Sequence, residues 1–164
     1  MSRLDSMIRR LKAQRACLDW AAAEIARLPG PVLELGLGNG RTYDHLRERL
    51  PDREIFVFER QVNAHPDCVP DGAHLFLGDV EETLARARGR LGRSAALVHN
   101  DIGTGDAAHN TRLASRIAPL IAALVRPGGV ILSDQRLPAA GDWQEMATPD
   151  GVSAGRYHLY RVGE

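Results

Sequence analysis

The pattern of apolar and polar positions predicts strands that alternate with helices. Five short apolar runs, each typical of a buried strand, end near residues 35, 59, 78, 100 and 133. Apolar residues at helical spacing occupy residues 3–28 and also follow the first and the third of these runs. Because strands and helices alternate in this way, the chain is expected to adopt an α/β fold with a parallel sheet.

The N-terminal helix precedes this alternating core. It is predicted to stop at the Pro29-Gly30 pair, since proline and glycine end a helix. Three interpretations of its first half stay open: it covers a ligand, it lies beside the sheet, or it contacts a second copy of the chain. Trp20 on this helix is a candidate for excluding water from a ligand site.

A glycine-rich turn joins the first strand to the next helix in the segment ELGLGNGRT, residues 34–42. Glycines allow the backbone to approach a ligand closely, and the N–H groups at the start of the helix offer a polar rim. A dinucleotide-binding turn has the spacing G-x-G-x-x-G, with a small last residue. Here the third glycine comes one residue early, and Arg41 occupies the place of the small residue. The spacing therefore argues against a nicotinamide or flavin dinucleotide.

The segment resembles motif I of the class I S-adenosylmethionine-dependent methyltransferases, which is G-x-G-x-G after an acidic residue. The resemblance extends from Pro31 to Val162 and implies a three-layer Rossmann-like sandwich with a mostly parallel sheet of about seven strands and an extra N-terminal helix. It also implies that motif I binds the methionine part of S-adenosylmethionine. The residues expected to bind the cofactor there are Glu34, Gly36, Leu37, Gly38, Asn39, Gly40 and Thr42.

Other strand ends supply further candidates for cofactor binding. Glu59, with Arg60 after it, ends the second strand, where a carboxylate can accept hydrogen bonds from ribose hydroxyls of either a nicotinamide or an S-adenosylmethionine cofactor. The resemblance implies that Asp79, followed by Val80, contacts the adenine amino group, although an aspartate there also suits a helix N-cap. Asn100 and Asp101 end the fourth strand, and Pro127-Gly128-Gly129 is expected to form the turn before the fifth.

Catalysis of methyl transfer consists mainly of holding a nucleophile in line with the S–CH₃ bond, with a base where the nucleophile arrives protonated. Asp101 and His109 are the predicted catalytic residues, and Asp106 is a further candidate for the proton acceptor. Asp101, Asp134 and Gln135 are similar to the Mg²⁺ ligands of catechol-type O-methyltransferases. Gln135 replaces the expected asparagine, so strand-end capping is preferred over a metal site.

The C-terminal third departs from the family pattern, which has a helix after the fifth strand. Pro138 and Gly141 disfavour that helix in residues 136–142, whereas residues 143–147 and 156–162 predict the family's strand pair. A missing helix would expose an apolar face of the sheet, which predicts a homo-oligomer. The chain is predicted to be one domain, residues 1–164, with a helical extension 1–28, a cofactor-binding core 31–134 and a C-terminal strand pair 135–164.

Composition narrows the partners. The chain has 21 basic and 21 acidic residues, so no overall basic field favours nucleic acid, and 5% aromatic residues offer little surface for base stacking. The sequence has no apolar run long enough to span a membrane, and its charged N-terminus does not resemble a signal peptide. Cys17 and Cys68 lack the spacing of a metal site or a disulfide framework. These features predict a cytoplasmic protein. The predicted partner is a small-molecule acceptor with an oxygen or nitrogen nucleophile. The alternatives are a non-catalytic S-adenosylmethionine-binding module, an aminopropyltransferase and a nicotinamide oxidoreductase.

Overall fold

The computed structural model describes residues 1–164 and contains a seven-stranded sheet between two layers of helices. Along the sheet the order is β3-β2-β1-β4-β5-β7-β6. The first five strands of the chain are parallel, and β7 is antiparallel to both β5 and β6. The predicted mostly parallel Rossmann-like sheet is confirmed, as is its C-terminal strand pair. The strands are β1 Val32–Leu35, β2 Ile55–Glu59, β3 Leu75–Leu77, β4 Ala95–Asn100, β5 Val125–Ser133, β6 Trp143–Met146 and β7 His158–Val162.

Four α-helices cover the two faces of the sheet. Helices α1 and α2 pack together on one face, and α3 and α4 pack together on the other. Both apolar cores are largely aliphatic. No helix is both long and apolar enough to cross a membrane. The helices are α1 Arg3–Glu24, α2 Arg41–Arg49, α3 Val80–Leu91 and α4 Ala107–Ala122, with short 3-10 turns at Pro66–Cys68 and Gly72–His74.

Helix α1 is longer than the strands that it packs against. Its 22 residues span roughly 33 Å, whereas the six residues of β4 span roughly 20 Å. Leu18 and Ala21 on its second half, and Ile25 directly after it, are buried against the sheet. Gln14 already contacts Asp101 just beyond the carboxyl end of β4. The first half of α1 therefore extends past the carboxyl edge of the sheet, which is where parallel α/β proteins bind ligands. Trp20 packs against the core on the half that lies along the sheet, so its predicted place at a ligand site is wrong.

Two local predictions differ from the structure. Helix α1 ends at Glu24 rather than residue 28, because the backbone there tightens into turns with i→i−3 hydrogen bonds. The Arg53 guanidinium donates to the carbonyl oxygens of Ile25, Leu28 and Gly30 at 2.7 to 3.0 Å. The second difference is Pro127-Gly128-Gly129, which lies inside β5 instead of forming a turn before it. The pairing of β4 with β5 shifts register there, so the segment is a β-bulge.

The segment that replaces the family's last helix covers the sheet. Residues 136–142 contain no helix, as predicted. Leu137 is buried there, and its N–H donates to the Tyr160 hydroxyl at 3.0 Å. The expectation of an exposed apolar face on this side of the sheet is therefore wrong. The large apolar side chains that are exposed lie mainly at the start of the chain, namely Met1, Leu4, Met7 and Ile8, with Leu77 on the edge strand β3. The homo-oligomer stays a prediction.

Candidate functional site

The loop between β1 and α2 uses its three glycines for different purposes. At Gly36, with φ of +89°, a Cβ would lie 2.8 Å from the carbonyl oxygen of Asp101, so the glycine lets β1 and β4 end side by side. At Gly40 a Cβ would lie 2.5 Å from Cβ and 2.8 Å from the carbonyl oxygen of Cys68, so it would collide with that residue. Only Gly38, with φ of +51°, has open space where its Cβ would be. The backbone at Gly38 is therefore open to a ligand, whereas Gly40 is required for packing, which corrects its predicted ligand role.

A cavity of about 350 Å³ lies between this loop and the first half of α1. This volume is within the usual range for small-molecule sites, roughly 300–1,000 Å³. A larger groove of about 610 Å³ lies beside Pro29 and Arg53, at the amino-terminal ends of the strands and away from the predicted residues. Six residues predicted to bind the cofactor line the smaller cavity: Gly36, Leu37, Gly38, Asn39, Thr42 and Asp101.

Glu59 ties the end of β2 to the glycine loop. Its carboxylate accepts the N–H groups of Leu37 at 2.8 Å and Gly38 at 3.2 Å, and those of Arg60 at 2.7 Å and Gln61 at 3.2 Å. Partial burial acts to raise the pKa of Glu59, but these four N–H groups outweigh it and hold the pKa below its ordinary value. Glu59 is therefore held ionised beside the loop. The side chain of Arg60 is exposed, and Arg60 contacts Glu59 through its backbone N–H.

Asp79 follows β3 and caps α3, as the alternative prediction required. One oxygen, Oδ1, accepts the N–H groups of Glu81 at 2.9 Å and Glu82 at 3.2 Å. The other oxygen accepts no hydrogen bond from the protein and is free for a ligand. Val80 is half-buried and packs against the core beneath α3, so its side chain serves packing.

Glu34 takes a different role from the predicted contact with the cofactor. Its side chain is fully buried, so it cannot reach a ligand in the cavity. It accepts the Thr42 hydroxyl at 2.7 Å, and both its oxygens lie 2.9 Å from Nδ1 of His99, which is also fully buried. Burial by itself lowers the pKa of His99, but the charge of Glu34 and its hydrogen bonds outweigh this, and the pKa lies above its ordinary value. The acidic residue of motif I thus stabilises a buried histidine and positions Thr42.

The buried polar contacts continue to α1 through two residues that the sequence analysis missed. Nε2 of His99 shares a hydrogen bond of 2.7 Å with the hydroxyl of Tyr157, which precedes β7. The amide of Gln14 then donates to the Tyr157 hydroxyl at 3.1 Å and to Oδ2 of Asp101 at 2.8 Å. Burial raises the pKa of Tyr157, so its hydroxyl stays protonated. A signal was present, because Gln14 interrupts the apolar stripe between Leu11 and Leu18.

Asp101 and Asp134 stand next to each other beyond the ends of β4 and β5. Burial and then the adjacent charge of Asp101 raise the pKa of Asp134 to about 6, while the N–H of Gly103, which donates to Oδ2 of Asp134 at 3.0 Å, opposes the shift. The side chains of Asp134 and Gln135 both lie against Gly103. The structure thus brings the three predicted metal ligands together, but only two are carboxylates. No cluster of three or more His, Cys, Asp or Glu side chains with the geometry of a metal site is present.

The remaining predicted residues lie outside the cavity. Asn100 is buried and donates to the Ser133 hydroxyl at 2.9 Å, facing the α4 side of the sheet, so its side chain does not reach the cofactor cavity. Asp106 caps α4 by accepting the N–H of His109 at 3.0 Å. Neither Asp106 nor His109 lines the 350 Å³ cavity, and a catalytic role for His109 stays a prediction.

Comparison with known proteins explains why these features occur together. The profile of a protein family described as S-adenosyl-L-methionine methyltransferase matches residues 1–162. The chain belongs to this family. The methyltransferase also resembles the crystal structure of an S-adenosyl-L-methionine methyl transferase from Silicibacter pomeroyi DSS-3, with 48% identity, a TM-score of 0.93 and 99% of each chain covered. No curated protein matches it.

More distant structures share only the fold of the methyltransferase. The CurJ carbon methyltransferase is 12% identical with a TM-score of 0.53, and the match covers 85% of this chain and 51% of that one. The antibiotic-resistance methyltransferase Kmr is 15% identical with a TM-score of 0.54, covering 92% of this chain and 93% of that one. A shared fold at this level of identity does not specify what this methyltransferase methylates.

The residues at the carboxyl edge fit the cofactor of this family, S-adenosylmethionine. Gly38 leaves the loop backbone open to the cavity, Glu59 holds a carboxylate at the end of β2, and Asp79 has one free oxygen at the end of β3. These three features lie at successive strand ends, in the order in which an extended adenosyl ligand would meet them. The predicted enzyme class and cofactor are confirmed by the family assignment.

Proposed function

We propose that the methyltransferase transfers a methyl group to an oxygen or nitrogen atom of a small-molecule acceptor, and that Asp101 accepts the proton that this atom loses. The observation that carries the proposal is the position of Asp101, whose carboxylate lines the cavity where β4 ends. When bound, S-adenosylmethionine supplies an electrophilic methyl group. A bond forms from the acceptor atom to the methyl carbon, the S–C bond breaks, the proton goes to the carboxylate, and S-adenosylhomocysteine leaves.

The surroundings of Asp101 suit a fixed proton acceptor. The amide of Gln14 holds one oxygen at 2.8 Å, and the carboxylate keeps 18% of its surface exposed towards the cavity side of the sheet edge. Because Gln14 is itself held by Tyr157 in the buried network, the carboxylate has a defined orientation. Holding a reacting group in place contributes to the ~7 to 11 kcal/mol available from orientation.

The adenosyl part is assigned to the ends of β2 and β3. All four hydrogen-bonding directions of the Glu59 carboxylate are used by backbone N–H groups. A ribose diol would replace the two longer bonds, those from Gly38 and Gln61 at 3.2 Å, and leave the two shorter ones in place. The free oxygen of Asp79 would accept the adenine amino group while the other continues to cap α3. Both predicted roles of Asp79 are then compatible.

A nucleic-acid acceptor is the second candidate, and a charge pattern on α1 favours it. Although the whole chain is neutral, five exposed basic residues lie within its first 15 residues and only one acidic residue lies among them. Local basic surfaces of this kind bind phosphate backbones. The prediction of no nucleic-acid partner depends on the equal numbers of basic and acidic residues in the whole chain, and that total does not show a local excess of basic residues on α1. The basic residues are Arg3, Arg9, Arg10, Lys12 and Arg15.

A labelling experiment separates these candidates. The purified protein is incubated with S-adenosylmethionine carrying a radioactive methyl group and with small-molecule, RNA or protein fractions of a cell extract. We expect label in the small-molecule fraction, reduced at least ~100-fold by Asp101→Asn, because removal of a general base typically costs that much. Asp52→Asn, an exposed site near the larger groove, is the control and should keep full activity.

Three outcomes would contradict the proposal. Label that enters only the RNA fraction would favour the second candidate. Equal activity of wild type and Asp101→Asn would remove the carboxylate from the proton transfer. Binding of S-adenosylhomocysteine without transfer to any fraction would favour a non-catalytic binding module.

A further inference from the structure

The first half of α1 forms one wall of the cofactor cavity and carries a basic residue there. Arg10 on α1 and Arg41, the first residue of α2, both line the cavity together with Gly38 and Asn39 of the glycine loop. One guanidinium therefore comes from the N-terminal extension and the other from the end of motif I. Their positions place two positive charges around the same space.

Neither guanidinium is occupied by a close partner. Arg41 is exposed and makes no hydrogen bond or ion pair, in contrast to Arg47 and Arg49 of the same helix. Arg10 lies 3.7 Å from Oδ1 of Asp101, longer than the roughly 2.7–2.9 Å of a charge-assisted hydrogen bond, and its side chain is 54% exposed. Both side chains can take a ligand without losing a strong contact.

The backbone at the start of α2 adds donors to the same place. The other three α-helices have a side-chain cap from Ser2, Asp79 or Asp106, whereas the N-cap of α2 is Gly40, which has no side chain to cap the helix. The free N–H groups of a helix start favour an anion, as does the helix dipole. The charge of this end of the cavity therefore matches a ligand carboxylate.

We propose that Arg10 and Arg41 bind the α-carboxylate of the methionyl part of S-adenosylmethionine, so that α1 is a structural part of the cofactor site. A planar guanidinium presents paired N–H donors that match the two oxygens of a carboxylate. The inference rests on the proposed function, since it takes the cavity under α1 as the place of the methionyl group. This role would explain why the first half of the N-terminal helix extends beyond the sheet, which packing against the sheet does not explain.

The test compares two ligands that differ in one group. S-adenosylhomocysteine and its decarboxylated analogue, which keeps the amine but lacks the carboxylate, are titrated by calorimetry into wild type, Arg10→Gln and Arg41→Gln. Wild type should bind S-adenosylhomocysteine roughly 10-fold or more tightly than the analogue, the size expected for hydrogen bonds to a charged group. Each variant should lose most of this preference while binding the analogue about as well as wild type does.

Controls keep the result interpretable. Arg9→Gln changes an exposed arginine on the same helix that does not line the cavity, and it should bind both ligands as wild type does. Unfolding curves of all variants should coincide, because the substituted side chains are exposed. A variant that unfolded would be replaced by the lysine substitution, which keeps the charge and should retain part of the preference.

Each remaining outcome would overturn the proposal. If wild type does not distinguish the ligands, or if the variants keep its preference, the arginines do not bind the carboxylate, and the proposed function survives with the basic side chains free for an acceptor. If the variants lose affinity for both ligands equally, the arginines support the loop instead. If wild type binds neither ligand, the proposed function fails together with this inference.

Discussion

Replacing Glu34 with alanine is expected to destabilise the fold by roughly 3–5 kcal/mol, because it leaves a buried charge without its partner. Glu34 and His99 are both fully buried, and Nδ1 of His99 contacts both carboxylate oxygens. The Thr42 hydroxyl loses its acceptor at the same time. Chemical denaturation followed by circular dichroism measures the free energy of unfolding of both proteins.

Glu54 provides the matched control for this loss. It also contacts a histidine, His74, but its side chain is 68% exposed, and such surface pairs contribute little. Glu54→Ala should change the free energy of unfolding by less than about 0.5 kcal/mol. If Glu34→Ala were as stable as this control, the buried pair would not support the fold.

The pH dependence of the same measurement identifies His99 as the titrating partner. Its folded pKa is raised above the unfolded value, so its contribution is fully present below about pH 6.5 and is lost as the pH rises through the folded pKa. The difference in stability between wild type and Glu34→Gln should therefore be larger at pH 6 than at pH 9. A difference independent of pH would mean that His99 is not protonated in the folded protein.

Gly36→Ala is expected to abolish cofactor binding and to destabilise the fold. The residue has φ of +89°, and its new Cβ would lie 2.8 Å from both the carbonyl oxygen of Asp101 and Cγ2 of Ile102. The backbone conformation alone costs about 1–3 kcal/mol. Because the collision is with backbone, β1 and β4 must move apart at the place where Asp101 lines the cavity. Calorimetry with S-adenosylhomocysteine and thermal unfolding report the two effects.

Two other glycines separate strain from ligand approach. Gly38→Ala also has a positive φ, but nothing lies within 4 Å of its Cβ, so it should be less destabilising than Gly36→Ala while still weakening binding. Gly72→Ala has neither a positive φ nor a close neighbour and should be near neutral in both assays. Normal binding by Gly36→Ala would show that the loop tolerates the shift and that its geometry does not define the site.

Much of the fold was predictable because its signals are local. The apolar runs of β1 and β2, the glycine turn at residues 36–40 and the C-terminal strand pair each depend on a few adjacent residues. The sequence Pro127-Gly128-Gly129 predicts a turn where the structure has a β-bulge, because a proline followed by two glycines suits both. Only the pairing of β5 with β4 distinguishes a turn from a bulge here, and that pairing depends on residues far apart in the sequence.

The buried network was not predictable by the same means. Gln14 and Tyr157 lie 143 positions apart and meet because α1 crosses the face of the sheet beside the C-terminal hairpin. Glu34 is predicted to bind the cofactor because of its place in motif I, but the sequence does not show whether its side chain faces a ligand or the core, and the structure buries it. The predicted oligomer depended on a missing helix, whereas Leu137 fills that space with an irregular segment.

Calorimetric titration of the purified protein with S-adenosylhomocysteine and NAD, repeated on Glu59→Ala, tests most directly the central claim that the ends of β1, β2 and β3 bind S-adenosylmethionine. We expect micromolar binding of S-adenosylhomocysteine, no binding of NAD, and a loss of affinity of roughly 10-fold or more in the variant, since Glu59 both contacts ribose and holds the loop at Leu37 and Gly38. Tight binding of NAD, or unchanged affinity of Glu59→Ala for S-adenosylhomocysteine, would contradict it.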